Sequence, residues 1–224
     1  MRVIVPKPKL KILSLCLCFL FLFGLTGIQA AEEKVNREIK ADDITLNSLE
    51  KGQEIIAKDN VYILYNNLEF NGGFARINTV TNQMLMEEEL VVKTPDYTLK
   101  GNKLEGNLNT RNFKMTGGVQ MTGNQLLVES DMLDYRHQKQ EIYMENISNL
   151  TYNNLQAEAD RGTFDQKQEI VYLNGNVRGV QNGRKFSADK ITIEMKPEKI
   201  NMKGQARLVI PESTGENEEE GETE

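Results

Sequence analysis

The chain has 224 residues, a net charge of −6 and a hydrophobic content of 39%. That length is enough for one domain with an apolar core. The acidic balance excludes an extended basic surface, so we expect no nucleic-acid partner. The cysteines, Cys16 and Cys18, both lie within residues 1–30, so the rest of the chain has no thiol for a disulfide or for thiol chemistry.

The N-terminus has the pattern of a targeting segment. Residues 1–11 carry four basic residues and no acid, and a nearly continuous apolar run follows from Ile12 to Leu25. Small residues precede Ala31, so we predict that residues 1–30 are a secretory signal peptide cleaved after Ala30. The alternative is an uncleaved membrane anchor, because Ile12–Ala31 is about 20 residues, roughly the length that spans a bilayer.

Apolar residues recur every 29 positions through the rest of the chain. Such a period indicates repeated copies of one supersecondary unit, here six. The three columns that show it are Ile55, Met84, Phe113, Ile142, Val171, Ile200; Ala57, Met86, Met115, Met144, Leu173, Met202; and Ala41, Phe70, Leu99, Val128, Ala157, Phe186.

Within a unit, apolar residues stand two apart, which predicts β-strands. Each strand has a midpoint of small residues, Asp or Asn, such as Ala159-Asp160 and Gly175-Asn176, where a β-bulge or bend is tolerated. Hairpin residues separate the strands. The predicted fold is all-β: an antiparallel meander of about twelve strands over residues 31–211, creased along its midline. A parallel β-helix is the competing architecture.

Folding the hairpins about their turn residues gives the expected register. A turn centred near 51.5 places Leu46 opposite Ala57, and a turn centred at 66.5 places Ile63 opposite Phe70. Both turns bring the strand midpoints into one line. The apolar columns then line the inside of the crease.

The interior columns are rich in methionine, a flexible side chain that suits variable apolar guests. One hypothesis is a groove for acyl chains, and the other is an ordinary packed core. The residues predicted to contact lipid are Ile55, Ala57, Met84, Met86, Phe113, Met115, Ile142, Met144, Val171, Leu173 and Met202.

No residue pattern indicates catalysis. The single histidine, His137, lies in a predicted surface turn, and neither a metal-ligand set nor a nucleophile–base pair can be assembled around it. We expect no enzyme activity, no metal and no cofactor. Residues 212–224 hold seven acids and no base, which predicts a disordered tail.

The last two units resemble the OstA/LptA-type periplasmic lipopolysaccharide-transport family. The resemblance rests on Ala159-Asp160, Gly175-Asn176-Val177 and the run 188–193, and the four earlier units are in register with it. It implies a periplasmic, V-shaped β-jellyroll that carries lipopolysaccharide with its acyl chains inside. It also implies edge-strand contacts to inner- and outer-membrane transport proteins, with head-to-tail homo-oligomers as a further possibility. The early units depart from the pattern, with Gly72-Gly73 and Gly101-Asn102 in place of Ala-Asp.

Three alternatives to a soluble lipid carrier stay open at this point. An uncleaved N-terminal segment would indicate the anchored, LptC-like component of the same machine. A structural β-repeat protein would assemble through its edges without a lipid ligand. A polysaccharide-active β-helix enzyme would need clustered carboxylates or basic residues on one strand face, which no repeat column supplies.

Overall fold

The computed structural model describes residues 37–211. The predicted signal peptide or anchor (1–30) and the predicted acidic tail (212–224) lie outside this range. Between residues 37 and 211 every regular element is a β-strand, and no helix there is long and apolar enough to cross a membrane. The strands are β1 (Arg37–Lys40), β2 (Asp43–Leu49), β3 (Gly52–Tyr65), β4 (Leu68–Asn78), β5 (Gln83–Lys93), β6 (Thr98–Asn107), β7 (Asn112–Gly123), β8 (Leu126–Arg136), β9 (Glu141–Tyr152), β10 (Leu155–Asp165), β11 (Ile170–Gln181), β12 (Arg184–Met195), β13 (Glu198–Lys203) and β14 (Arg207–Val209).

All of these strands belong to one antiparallel sheet, in which strands β3 to β12 pair in sequence order. β1 and β2 both pair with β3, and β13 and β14 both pair with β12, so each couple is one broken strand. The sheet therefore has twelve strand positions, as the repeat predicts, and the antiparallel fold is confirmed. The antiparallel pairing rules out the parallel β-helix, while the jellyroll form stays an expectation.

The predicted register is right at one hairpin and wrong at the other. Ile63 pairs with Phe70, as expected. Leu46 was expected opposite Ala57 but pairs with Ile55, because the chain turns at residues 50–51, one position earlier than we placed the centre. Moving a hairpin centre by one position shifts the partner by two residues, so the same face stays inward.

The crease is a line of β-bulges. The odd-numbered strands carry residues with positive φ at 29-residue intervals, and the strand register shifts at these points. Three of the bulges are tied to the adjacent strand position by a side-chain hydrogen bond: Asn60 Nδ2 donates to Asp42 Oδ2 at 2.6 Å, Asn146 Nδ2 to Asp131 Oδ2 at 2.8 Å, and Asn176 Nδ2 to Asp160 Oδ2 at 2.9 Å. The periodic aspartates are therefore bend residues. The bulge residues are Asp59, Asn60, Glu88, Glu89, Gly117, Gly118, Asn146, Gly175, Asn176, Gly204 and Gln205.

The bulges divide the sheet into two halves. Layer 1 comprises residues 37–40, 61–72, 90–101, 119–130, 147–159, 177–188 and 207–209, and layer 2 comprises residues 43–58, 74–87, 103–116, 132–145, 161–174 and 190–203. Alternate residues of both layers form one continuous buried apolar cluster. A single sheet can bury one face this completely only if its halves cover each other.

Contacts between the layers confirm that they face one another. The Phe70 ring of layer 1 lies 5.4 Å from the Phe113 ring of layer 2. The buried Tyr152 hydroxyl of layer 1 donates to the carbonyl oxygen of Met195, the last residue of β12 in layer 2, at 3.1 Å. Tyr152 and Met195 are 43 positions apart, about one and a half repeats. Each stretch of layer 1 therefore faces a later stretch of layer 2.

This offset leaves apolar side chains uncovered at both ends. The first strand of layer 2 has no layer 1 strand over it, and Leu46 there is 57% exposed. The last strand of layer 1 has no layer 2 strand under it, and Ile210, which follows it, is 62% exposed. Ile44 and Leu208 are also exposed, at opposite ends of the sheet.

Candidate functional site

The predicted lipid-contacting residues all lie on the inner face of layer 2. The members buried in the common core are Ala57, Met84, Met86, Phe113, Met115, Ile142, Met144, Val171 and Leu173. Ile55 and Met202, in the terminal strands, are partly buried and pack against that core. The structure thus brings the whole predicted set together on one surface. Whether this surface contacts lipid stays a prediction.

An apolar cavity of about 820 Å³ opens into the space between the layers. Its size is within the range of small-ligand pockets. Of the predicted residues, Phe113, Met115 and Ile142 line it, and the other eight do not. Six of those eight are packed core residues of the sheet, and Ile55 and Met202 pack against that core from the terminal strands.

The rest of the cavity floor comes largely from residues that the sequence did not assign to the site. They come from both layers, because layer 1 covers layer 2 at this point. They are Leu68, Phe70, Val92, Leu99, Leu104, Met121, Leu133 and Phe164. Phe70 and Leu99 belong to a 29-residue column visible in the sequence. That column would have identified both residues if layer 1 had been considered as the second wall of the groove.

The mouth of the cavity lies between two rows of turns. Layer 1 contributes residues 94–97 and 124–125, and layer 2 contributes Arg111, His137, Gln140, Gln166 and Glu169. Tyr97 reaches across the interior, with its ring 6.1 Å from that of Phe164. Burial raises the pKa of the Tyr97 hydroxyl, so this group is neutral at physiological pH. The cavity is therefore apolar inside and polar at its rim.

His137 lies in a turn, as predicted, and is partly buried at this rim. Its Nδ1 is 3.1 Å from the Tyr135 hydroxyl, and its Nε2 is 3.5 Å from Arg111 Nη1. A guanidinium can only donate, so Nε2 accepts and the ring is neutral with its proton on Nδ1. Burial, followed by the nearby Arg111 charge, lowers the pKa of His137 and favours this neutral form.

A second basic side chain, that of Lys196, also lies at the rim. Lys196 Nζ forms an ion pair with Glu169 Oε1 at 2.8 Å, and this hydrogen bond raises the pKa of the lysine. Both side chains are well exposed, so the pair contributes little to stability. Within the described part of the chain, no group of three or more His, Cys, Asp or Glu side chains is arranged to hold a metal ion.

Residues 141–199 match a family model described as the LptA/(LptD N-terminal domain) LPS transport protein. The resemblance to the LptA-type family is confirmed. The matched residues run from β9 into β13, so they include two complete repeats. The remaining repeats share the same strand pairing and the same bulge positions, which extends the architecture of this stretch over residues 37–211.

A solved structure of LptH from Pseudomonas aeruginosa, described as the LptA homologous periplasmic component of the lipopolysaccharide transport device, is similar at 12% identity and a TM-score of 0.32. The match covers 65% of this chain and 95% of LptH. The fold assignment rests on the strand pairing and not on this superposition. No curated protein sequence matches the chain.

Proposed function

We propose that this protein is a non-enzymatic periplasmic carrier of lipopolysaccharide or a similar glycolipid, with the acyl chains held between the two layers. The observation that carries the proposal is an apolar cavity with a polar rim, in a chain whose residues 141–199 match an LPS-transport family. The cavity opens between two rows of turns, so a lipid can place its chains inside and leave its sugars in water. The carrier needs no cofactor for this role.

Transfer of acyl chains into such a cavity is strongly favourable. Each methylene moved from water into an apolar environment contributes about 0.8 kcal/mol. A twelve-carbon chain then contributes on the order of 10 kcal/mol before entropy costs. Met115 and Met121 line the cavity, and their unbranched side chains can adjust to chains of different lengths. The packed methionines beyond the cavity, such as Met144, extend the same surface if the layers separate further.

The exposed ends of the two layers supply the contacts for transport partners. Leu46 at one end and Ile210 at the other are apolar side chains beside strands with unpaired backbone groups. Open edges of this kind accept a further strand from another protein. We assign these edges to inner- and outer-membrane transport proteins, or to another copy of this chain placed head to tail.

Site-specific photocrosslinking tests the carrier function. A photoreactive residue is placed at Met115, which lines the cavity, and at Lys139, which is exposed in the turn 137–140. We expect lipopolysaccharide to be captured at position 115 and not at position 139. Capture at neither position in a folded protein would contradict the proposal and favour a structural β-repeat protein.

The state of the N-terminus distinguishes the secreted carrier from a membrane-anchored, LptC-like component. Residues 1–30 lie outside the described structure, so the test is chemical. The N-terminal residue of the protein recovered from the periplasm should be Ala31. An intact segment in the membrane fraction would instead indicate the anchored component.

A further inference from the structure

Arg111 occupies a distinctive position at the mouth of the cavity. It ends the turn between β6 and β7 with a φ of 57°, it is partly buried, and it lines the cavity. Its equivalents in the neighbouring repeats are Asn82, Gln140 and Glu169, whose φ values are 57°, 56° and 55°. The turn therefore accepts four different side chains in one conformation. The backbone does not require an arginine here.

The guanidinium of Arg111 lacks an acidic partner. The other basic rim residue, Lys196, is paired with Glu169, and three arginines elsewhere pair with Glu54, Asp134 and Glu158. The rim also carries Asp96, which forms no ion pair with Arg111. Among residues 37–211, no carboxylate forms an ion pair with Arg111, and its hydrogen bond goes to the neutral ring of His137. A guanidinium has five N–H donors in a fixed fork, so most of them stay available.

We propose that Arg111 binds the oxyanion of an amphiphile, a phosphate or a carboxylate, whose apolar chain occupies the cavity. The fork of a guanidinium matches either anion with two parallel hydrogen bonds. The chain carries a net charge of −6, so its overall field does not attract anions and recognition has to be local. His137 acts as a positioning residue, because its Nε2 holds one arm of Arg111 at the rim. This inference deepens the proposed carrier function and rests on it.

Binding of three twelve-carbon amphiphiles to the full chain tests the inference. Dodecyl phosphate and dodecanoate each carry an anionic head, and dodecyl maltoside has the same chain with a neutral head. Affinities are measured by calorimetry below the micelle concentration of each compound. The variant Arg111→Gln installs the side chain that Gln140 already places in the equivalent turn, so the fold should be retained. Arg161→Gln is the matched control, because Arg161 is exposed and lies outside the cavity lining.

We expect Arg111→Gln to weaken binding of at least one anionic amphiphile by tenfold or more, about 1.4 kcal/mol. Binding of dodecyl maltoside should change less than twofold. Arg111→Lys keeps the charge and should recover part of the loss, and Arg161→Gln should behave as the unmodified protein. The larger loss identifies whether phosphate or carboxylate is the better ligand.

Three results would overturn the inference. Equal losses for anionic and neutral amphiphiles would mean that Arg111 only supports the cavity. Unchanged affinities in Arg111→Gln would remove the anion site while leaving the carrier function intact. Binding of no amphiphile to the unmodified protein would reject both the carrier function and the anion site, so the two failures are distinguishable.

Discussion

Replacing Gly175 tests how the crease is built. Gly175 has a φ of +82°, and a Cβ added there would collide with the side chain of Asp160, which accepts a hydrogen bond from Asn176. An L-residue in a left-handed conformation costs about 1–2 kcal/mol. Displacing the Asp160 carboxylate from Asn176 adds about 0.5–1.5 kcal/mol. Gly175→Ala should therefore lower the free energy of unfolding by about 1.5–3.5 kcal/mol.

Gly183 provides the matched control. It has a similar φ of +76°, in the turn between β11 and β12, but a Cβ added there would meet nothing within 4 Å. Gly183→Ala should cost only the left-handed conformation, about 1–2 kcal/mol. Urea unfolding monitored by circular dichroism gives both values under the same conditions. The difference between the two variants isolates the contribution of Asp160.

A third variant tests whether equivalent bulge positions in different repeats accept the same side chain. Asn146 occupies the position equivalent to Gly175 with a φ of 52° and donates a hydrogen bond to Asp131. Asn tolerates the left-handed region better than Ala, and its amide can donate to Asp160 as that of Asn146 donates to Asp131, so Gly175→Asn should cost less than Gly175→Ala although it adds the same Cβ. Equal costs for Gly175→Ala and Gly183→Ala would refute the role given to Asp160. A cost for Gly175→Asn as large as that for Gly175→Ala would refute the equivalence.

Two further predictions concern the closure of the layers and the rim of the cavity. Tyr152→Phe removes a buried hydrogen bond to the Met195 carbonyl oxygen and should lower the urea-derived stability by about 0.5–1.5 kcal/mol, whereas Tyr172→Phe, at an exposed site, should change it by less than about 0.5 kcal/mol. The pKa of His137 is lowered from 6.5 in the folded protein, so its unfolded form binds protons more readily and stability falls as the pH drops below about 6.5. His137→Gln should lack this contribution, so the stability difference between the unmodified protein and the variant should be smaller at pH 5.5 than at pH 7.5. A difference that does not change with pH would contradict the lowered pKa.

The sequence predicted most of the sheet because its information is local and periodic. Alternation within strands and the 29-residue step identify which side chains face inward, and Ile63 pairs with Phe70 as expected. The bulge at Glu88 and Glu89 was not predicted, because glutamate is not a residue type that signals positive φ. The 29-residue spacing from the other bulges would have predicted this bulge better than its residue types did.

The cavity was harder to predict because it depends on contacts between layers. Strand patterning fixes which face is inward but not which stretch of layer 1 covers which stretch of layer 2. The Phe70–Phe113 and Tyr152–Met195 contacts set that offset. Only with the offset known does the cavity appear around Phe113, Met115 and Ile142, while Met84 and Met144 become ordinary core residues.

The absence of crossovers between residues 37 and 211 has a consequence for how this sheet can change in length. Strands β3 to β12 are hydrogen-bonded in sequence order, so one 29-residue unit can be removed or duplicated without changing the connections between the other strands. The layers would keep their offset, because the two strands of each unit run through both layers and an added unit lengthens both equally. A chain with seven units would then be a longer protein with the same two ends, and only the distance between those ends would grow.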